Sequence, residues 1–373
     1  MSTVVLSCGG HAGPTPNGPV SQKQMGNPGD TMRATAWSPV EVVDIKRRRT
    51  PGGNTPDRHD GTVTIADAYT DFATREARGV SPAYERLALA VAADEELLAL
   101  LATLPPGKRQ PNLLFGVVRL LGGPVEEPAA FREYVKERWP AVSAEAATRI
   151  TQTNEAGRCA LLLPVLAALP QPLALLEVGA SAGLCLYPDR YGYRYGDRVL
   201  GIGEPVLECS LVGAPAPSSV PEVVWRAGLD LNPLDVGDPA DVAWLDALIW
   251  PEHAHRRARL RAAAAVAAAD PPLLVPGDLV DDLPALAAAA PTGATLVVFH
   301  SSVLYHVSAA RRAEFVELVR GLPGHWVSVE APGVVPLDGL PEPPDAAHHN
   351  VLALDGRPLA WTRGHGQAMA WFG

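Results

Sequence analysis

Cysteine is scarce: Cys8, Cys159, Cys185 and Cys209 are scattered and never form a C-x-x-C pair. That excludes a disulfide framework and a thiolate zinc site, and leaves buried, reduced thiols as the reading of those in apolar runs. Long apolar runs are missing as well. Ala262–Ala269 is alanine-rich and too short to span a membrane. Val5-Leu6-Ser7-Cys8 lacks the basic stretch and the apolar core of a lipoprotein signal, so the expected location is cytoplasmic. Positive charge is in deficit, with 31 basic against 41 acidic side chains and a net charge of −10. The one basic cluster is Lys46-Arg47-Arg48-Arg49. A protein that grips phosphates shows a basic excess or stripe, so nucleic acid is not expected as a partner, nor is a membrane. A small-molecule substrate remains.

What is present divides into three stretches. Residues 1–60 are rich in Gly, Pro, Asn, Ser and Thr without periodicity, as expected of a disordered extension or a segment upstream of an internal start at Met25 or Met32. Residues 61–170 read as an all-helical cap. Ile65, Tyr69 and Phe72 recur at helical spacing, and Ser81-Pro82 sets an N-cap before a first-turn proline. A helix is predicted from Tyr84 to Leu104, with others near 111–121, 128–138, 142–151 and 155–168. From residue 171 to 373, short apolar runs alternate with helices. Strands are predicted at Leu173–Val178, Val223–Leu229, Leu273–Val275, Thr295–Phe299 and Trp326–Val329, with helices near 239–269, 282–289 and 308–320. Such alternation implies parallel pairing and right-handed crossovers. Asn350–Leu354 and Leu359–Trp361 around Asp355-Gly356 read as a hairpin whose second segment resumes at Ala368–Phe372. The expected fold is α/β, a Rossmann-like, mostly parallel sheet closed by an antiparallel hairpin behind a helical cap.

The most informative segment is Leu175-Leu176-Glu177-Val178-Gly179-Ala180-Ser181-Ala182-Gly183-Leu184, a buried strand running into a small-residue loop. Small residues let a backbone approach a ligand and aim N–H groups at it. A dinucleotide fingerprint needs glycines where Ser181 and Leu184 stand. Gly179-Ala180-Ser181-Ala182-Gly183 matches the nucleophile elbow G-x-S-x-G, but only helices precede it and no His-Gly-Gly loop lies upstream. A serine hydrolase would need Ser181 with a later acid and histidine, Asp278 and His300 being the candidates. The remaining reading is the first loop of an S-adenosylmethionine-dependent methyltransferase. A protein that keeps the fold only to bind a ligand is a third class.

From about Asp60 onward the chain resembles an actinobacterial family catalogued as domain of unknown function 2332. The resemblance is carried by Gly79–Ala88, Gly107–Leu113, Thr151–Glu155, Glu177–Leu184, Gly228–Asp235 and Trp250-Pro251-Glu252. Through Glu177–Gly183 and the order of elements, the core also resembles class I S-adenosylmethionine-dependent methyltransferases. That likeness implies a set of cofactor residues. Gly179 and Gly183 would let the loop approach the methionine end, Glu177 and Ser181 would join the cofactor residues beside them, and Asp230 would meet the ribose hydroxyls and Asp278 the adenine amine. Two departures stand out. Ser181 replaces a usual glycine, and 53 residues separate Glu177 from Asp230, against about 20 in simple dinucleotide units. The insert, Tyr187 to Pro221, reads as a short helix and a hairpin with Tyr191, Tyr193 and Tyr195 alternating.

Two polar clusters are the candidates for chemistry. Phe299-His300-Ser301-Ser302-Val303-Leu304-Tyr305-His306 follows the fourth strand, and the pKa of His300 suits proton removal from an acceptor. Thr151–Arg158 packs Gln152, Asn154, Glu155 and Arg158 just before the first strand. Asn154, Glu155, Arg158, His300 and Tyr305 are therefore expected to converge on the acceptor. Asp230–Asp235 has too few oxygen ligands for calcium, and His253 and His255, two apart on a helix, cannot share one face, so no metal is expected. Arg256–Arg261 reads as a solvated helix face.

Overall fold

The computed structural model describes residues 64–372, so the expectations placed on residues 1–60 and on Cys8 lie outside the described residues. Helix Ile65–Asp71 opens with a capping box between Thr64 and Asp67. Pro82–Ala92 opens with Ser81, whose hydroxyl accepts from the Tyr84 N–H. The single helix expected to reach Leu104 is two, because the Asp94 side chain accepts from the N–H groups of Glu96 and Leu97 and restarts the helix at Glu95–Ala102. Pro111–Leu120, Pro128–Glu137, Trp139–Thr148 and Cys159–Leu166 complete the helical stretch, and no strand occurs among its described residues.

The strands are β1 Leu173–Val178, β2 Gly192–Tyr195, β3 Arg198–Leu200, β4 Val206–Glu208, β5 Ser210–Val212, β6 Val223–Asp230, β7 Leu273–Pro276, β8 Thr295–Ser301, β9 His325–Glu330, β10 Asn350–Leu354, β11 Arg357–Thr362 and β12 Ala368–Trp371. Nine form one sheet in the order β5-β12-β11-β10-β9-β8-β1-β6-β7. From β7 to β9 the neighbours are parallel. β10, β11 and β12 then run as an antiparallel meander. Asp355 and Gly356 both take positive φ, 52° and 80°, which the two-residue turn between β10 and β11 requires. Ala368–Trp371, expected as a continuation of the hairpin's second segment, is a strand of its own, paired with β11. The predicted helix over 239–269 is split into Pro239–Leu248 and Ala254–Ala269 by Trp250-Pro251, since proline fixes φ and offers no N–H.

Most of the long insert folds apart from the main sheet, and only its β5 joins that sheet, beside β12. β2, β3 and β4 form a small sheet, and Tyr191, Tyr193 and Tyr195 are all buried. Their hydroxyls donate to the carbonyls of Leu184 (2.8 Å), Pro188 (2.7 Å) and Ala160 (2.6 Å). The expected short helix is absent from Tyr187–Pro221; one 3-10 turn, Leu184–Leu186, precedes the insert. The insert leaves β1 paired directly with β6, Val178 opposite Leu229.

The sheet is buried on both sides. One core runs from Tyr69, Phe115 and Leu162 through Leu175, Val297 and Phe299 to Met369, so the helical stretch and one face of the sheet share it. The other face packs Leu176, Val178, Val298, Phe315 and Trp326. Cys159, Cys185 and Cys209 are free and buried in the first core. Because β6 and β7 lie on one side of β1 and β8 on the other, the connections diverge there. A crevice opens at the carboxyl ends of such strands.

Candidate functional site

That crevice is a cavity of about 990 Å³. Its floor is the carboxyl ends of β1, β6, β7 and β8, and Phe72, Gln110 and Asn112 of the helical stretch line it as well. The loop after β1 turns by left-handed residues at Gly179 (φ 72°), Ser181 (φ 52°) and Gly183 (φ 70°). Gly179 and Ser181 line the cavity. Gly179 is also packed by protein, since a Cβ there would stand 2.4 Å from Val303 Cγ2. Gly183 is not among the lining residues; a Cβ there would press on Leu186, Pro272 and Leu274.

Asp230 faces the cavity from the end of β6 despite the long gap in sequence. Its Oδ2 accepts from the Ser181 N–H and its Oδ1 from the Asn232 N–H, both at 2.8 Å. Gln152 completes this ring, accepting from Ser181 Oγ at 2.5 Å and donating to the Asn232 carbonyl at 2.7 Å. Asp278, after β7, also lines the cavity. Burial favours its neutral form, but N–H donors from Val280 and Asp281 and the Arg311 guanidinium outweigh that and lower its pKa. All three donors use Oδ1, leaving Oδ2 without a partner among the described residues.

The two polar clusters divide. Asn154 donates to the Ala180 carbonyl at 3.2 Å and so steadies the loop rather than facing a ligand. Glu155 is buried and does not line the cavity. It accepts from Arg256 Nε and Arg259 Nε, each at 2.7 Å, and from the Gly157 N–H at 3.0 Å. Burial would raise its pKa, yet the two guanidiniums hold it well below the usual carboxylate range. Arg158 does line the cavity, donating through Nε to the Gly364 carbonyl and through Nη1 to the Ser301 carbonyl, both at 3.0 Å. Tyr305 lines it too, with the His306 ring 3.7 Å from its own.

His300 is elsewhere. It is fully buried, its Nδ1 lies 2.9 Å from Glu330 Oε1, and its Nε2 accepts from the Trp326 indole N–H at 3.0 Å. The indole donor assigns the proton to Nδ1, so both ring nitrogens are occupied and neither can serve the cavity. The reason is the two-residue period of a strand. Val297 and Phe299 face the helical side, whereas Val298 and hence His300 face the opposite core, with Phe315 and Trp326. The expected convergence of Glu155 and His300 is therefore replaced by two separate structural roles. Ser301, one residue on, faces the cavity.

Glu177 is buried with Oε2 unpartnered, and burial together with the Cys185 thiol raises its pKa well above the usual range. It is not a lining residue. Arg256 and His365, which sequence reasoning did not place at the site, line the cavity, as does Ser301 of the predicted cluster, to which no role was given. The stretch Arg256–Arg261 is not a bare solvated face: Arg256 and Arg259 meet Glu155, and Arg257 and Arg261 meet Asp246. The spacing of three between Arg256 and Arg259 is the signal that could have revealed a shared partner. Among the described residues, no group of three or more His, Cys, Asp or Glu is placed to hold a metal ion, and no helix is long and apolar enough to cross a membrane.

The family model for an uncharacterized protein conserved in bacteria, DUF2332, matches residues 66–371, and the chain belongs to that family. No curated protein and no solved structure matches it.

Proposed function

We propose that this DUF2332 protein transfers a methyl group from S-adenosylmethionine to a small-molecule acceptor, on a Rossmann-like sheet of the methyltransferase type. One observation carries the reading: Gly179, Ser181, Asp230 and Asp278 come from the ends of the first three parallel strands and meet in one cavity at the point where the strand order reverses. In chain order the five parallel strands run 3-2-1-4-5, as in doubly wound nucleotide-binding sheets. The residues fit the cofactor chemically. Asp230 spends two acceptor positions on backbone N–H groups, and an ionised carboxylate has about four, which leaves two for vicinal hydroxyls. Asp278 keeps Oδ2 for an amine. Gly179 brings bare backbone to the cavity wall.

When bound, S-adenosylmethionine supplies a methyl group on a sulfonium, ready for in-line displacement. The chain's own part is to orient the acceptor and exclude water, which can provide much of the barrier reduction. A proton leaving the acceptor would pass to a group that faces the cavity. His306 and Tyr305 do so, and His300 does not. Calorimetric titration with S-adenosylmethionine and S-adenosylhomocysteine tests the reading. Micromolar binding of both is expected, and binding of neither would remove it.

Serine hydrolysis is the second reading, favoured by the left-handed backbone of Ser181 within Gly179–Gly183. The Ser181 hydroxyl donates to Gln152, however, and His300 is held by Glu330 and Trp326.

A further inference from the structure

Arg158 is 7% exposed, yet no carboxylate lies within ion-pair distance of it among the described residues. Its Nε and Nη1 are spent on two carbonyls, and Nη2 has no partner among the described residues. A buried charge without a counter-ion is costly, several kcal/mol by general experience, unless something else neutralises it. Nearby, Arg256 and Arg259 share the single carboxylate of Glu155. Arg256 leaves its own Nη2 without a partner among the described residues and lines the same cavity. Glu155 is thus the one carboxylate that meets these guanidiniums among the described residues, and it is taken up by Arg256 and Arg259.

Two further polar atoms at this end of the cavity are buried and unpartnered: Ser301 Oγ and His365 Nδ1. Ser301 is 6% exposed, and its carbonyl is the one that holds Arg158 Nη1. His365 sits on the turn between β11 and β12, which closes tightly on the Arg158 segment, for a Cβ at Gly157 would stand 2.5 Å from the His365 carbonyl oxygen.

We infer that Arg158, Arg256, Ser301 and His365 form an anion site at the inner end of the cavity, built to take a carboxylate or phosphate group of the ligand. A planar guanidinium with free N–H donors beside a hydroxyl suits two oxygens of one such group. The anion has two possible sources, the amino-acid end of the cofactor or an acidic group on the acceptor. The inference goes beyond methyl transfer and needs that reading only in the cofactor arm of its test.

The test titrates wild type, Arg158→Met and Ser301→Ala with four probes: S-adenosylhomocysteine, 5′-methylthioadenosine (which lacks the carboxylate), succinate and inorganic phosphate. If the cofactor is the source, Arg158→Met weakens S-adenosylhomocysteine by about tenfold or more and spares 5′-methylthioadenosine, as expected for one charge-assisted bond. If the acceptor is the source, both nucleosides are unaffected, while succinate or phosphate binds wild type and loses about the same factor in Arg158→Met. Ser301→Ala, which keeps the carbonyl that braces Arg158, should weaken the same probe by about two- to tenfold and guards against a folding defect in the first variant. Should neither nucleoside bind wild type, methyl transfer fails and the succinate and phosphate arm still decides the anion site. The inference is overturned if no probe's affinity depends on Arg158 and Ser301.

Discussion

Glu155 and Glu177 stand on either side of the same helix and are almost equally buried, at 5% and 6% exposure, yet their pKa values shift in opposite directions. At the turn before the helix, Glu155 is ionised because Arg256 and Arg259 each bring a guanidinium to 2.7 Å. At the exit of β1, Glu177 meets no ion pair among the described residues, and burial raises its pKa well above the usual carboxylate range. Burial alone does not decide what a carboxyl does. The partner supplied from another element does, and that partner is invisible in the local sequence.

The largest expected effect comes from cutting the first region. Glu155→Ala leaves two largely buried guanidiniums facing each other and should destabilise the fold by about 3–5 kcal/mol. In a protein of this size that is a fall in Tm of roughly 4–8 °C. Arg256→Met in the same background should return part of it. A shift below about 1 kcal/mol would mean that the pairs behave as exposed ones and the contrast with Glu177 is false.

Next comes the loop that β1 delivers. Gly179→Ala places a Cβ 2.4 Å from Val303 Cγ2 on a backbone with φ 72°, so overpacking and left-handed strain both act. A loss of about 1–3 kcal/mol is expected by chemical denaturation. Val303→Ala should return the packing share and not the backbone share. No recovery at all would show that packing is not the cause.

The sequence made the second region far more legible than the first. Leu173–Val178 announces itself as an apolar run broken only by Glu177, with glycines after it, and the acids at 230 and 278 follow from strand order alone. The insert did not displace Asp230, because its tyrosines bury themselves in a separate sheet. What could not be read was facing. His300 and Ser301 are adjacent polar residues, and only strand parity, fixed by which side the helices cover, decides that the serine faces the cavity and the histidine the core. Likewise Glu155 and Arg256 lie 101 positions apart, and their meeting depends on how the helix after Pro251 docks.

The pH dependence of stability separates the two glutamates by sign. Glu155, with its pKa lowered from 4.5, lends stability that is fully present above about pH 4.5 and is lost as the pH falls toward its folded value. Glu177, with its pKa raised from 4.5, binds a proton in the folded state that the unfolded chain releases. Its contribution is present below about pH 4.5 and is lost as the pH rises toward its folded value, at up to about 1.4 kcal/mol per pH unit. Glu177→Gln should therefore flatten the decline in stability toward neutral pH and leave the acid limb intact. An unchanged slope between pH 5 and 8, read by denaturant titration, would show that Glu177 ionises like an exposed carboxyl.

The smallest effect is expected at Ser181, and it bears on which chemistry the β1 exit serves. Its hydroxyl makes one hydrogen bond, to Gln152 Oε1 at 2.5 Å, while its N–H to Asp230 and its left-handed φ belong to the backbone and survive substitution. Ser181→Ala should thus cost about 0.5–1.5 kcal/mol of stability. Ser181→Gly loses the same bond but relieves a non-glycine left-handed residue worth about 1–2 kcal/mol, so it should lie close to wild type or above it. Under methyl transfer, turnover in Ser181→Ala stays within about tenfold, because the hydroxyl positions Gln152 and the loop and touches no reacting bond. Under hydrolysis the same oxygen is the nucleophile, and its loss removes several powers of ten. Assaying p-nitrophenyl acetate hydrolysis and methyl transfer on the same Ser181→Ala preparation keeps the two apart. A wild-type esterase activity that vanishes in this variant would assign the loop to a serine nucleophile and leave Asp230 as the brace of an elbow rather than the acceptor of ribose hydroxyls.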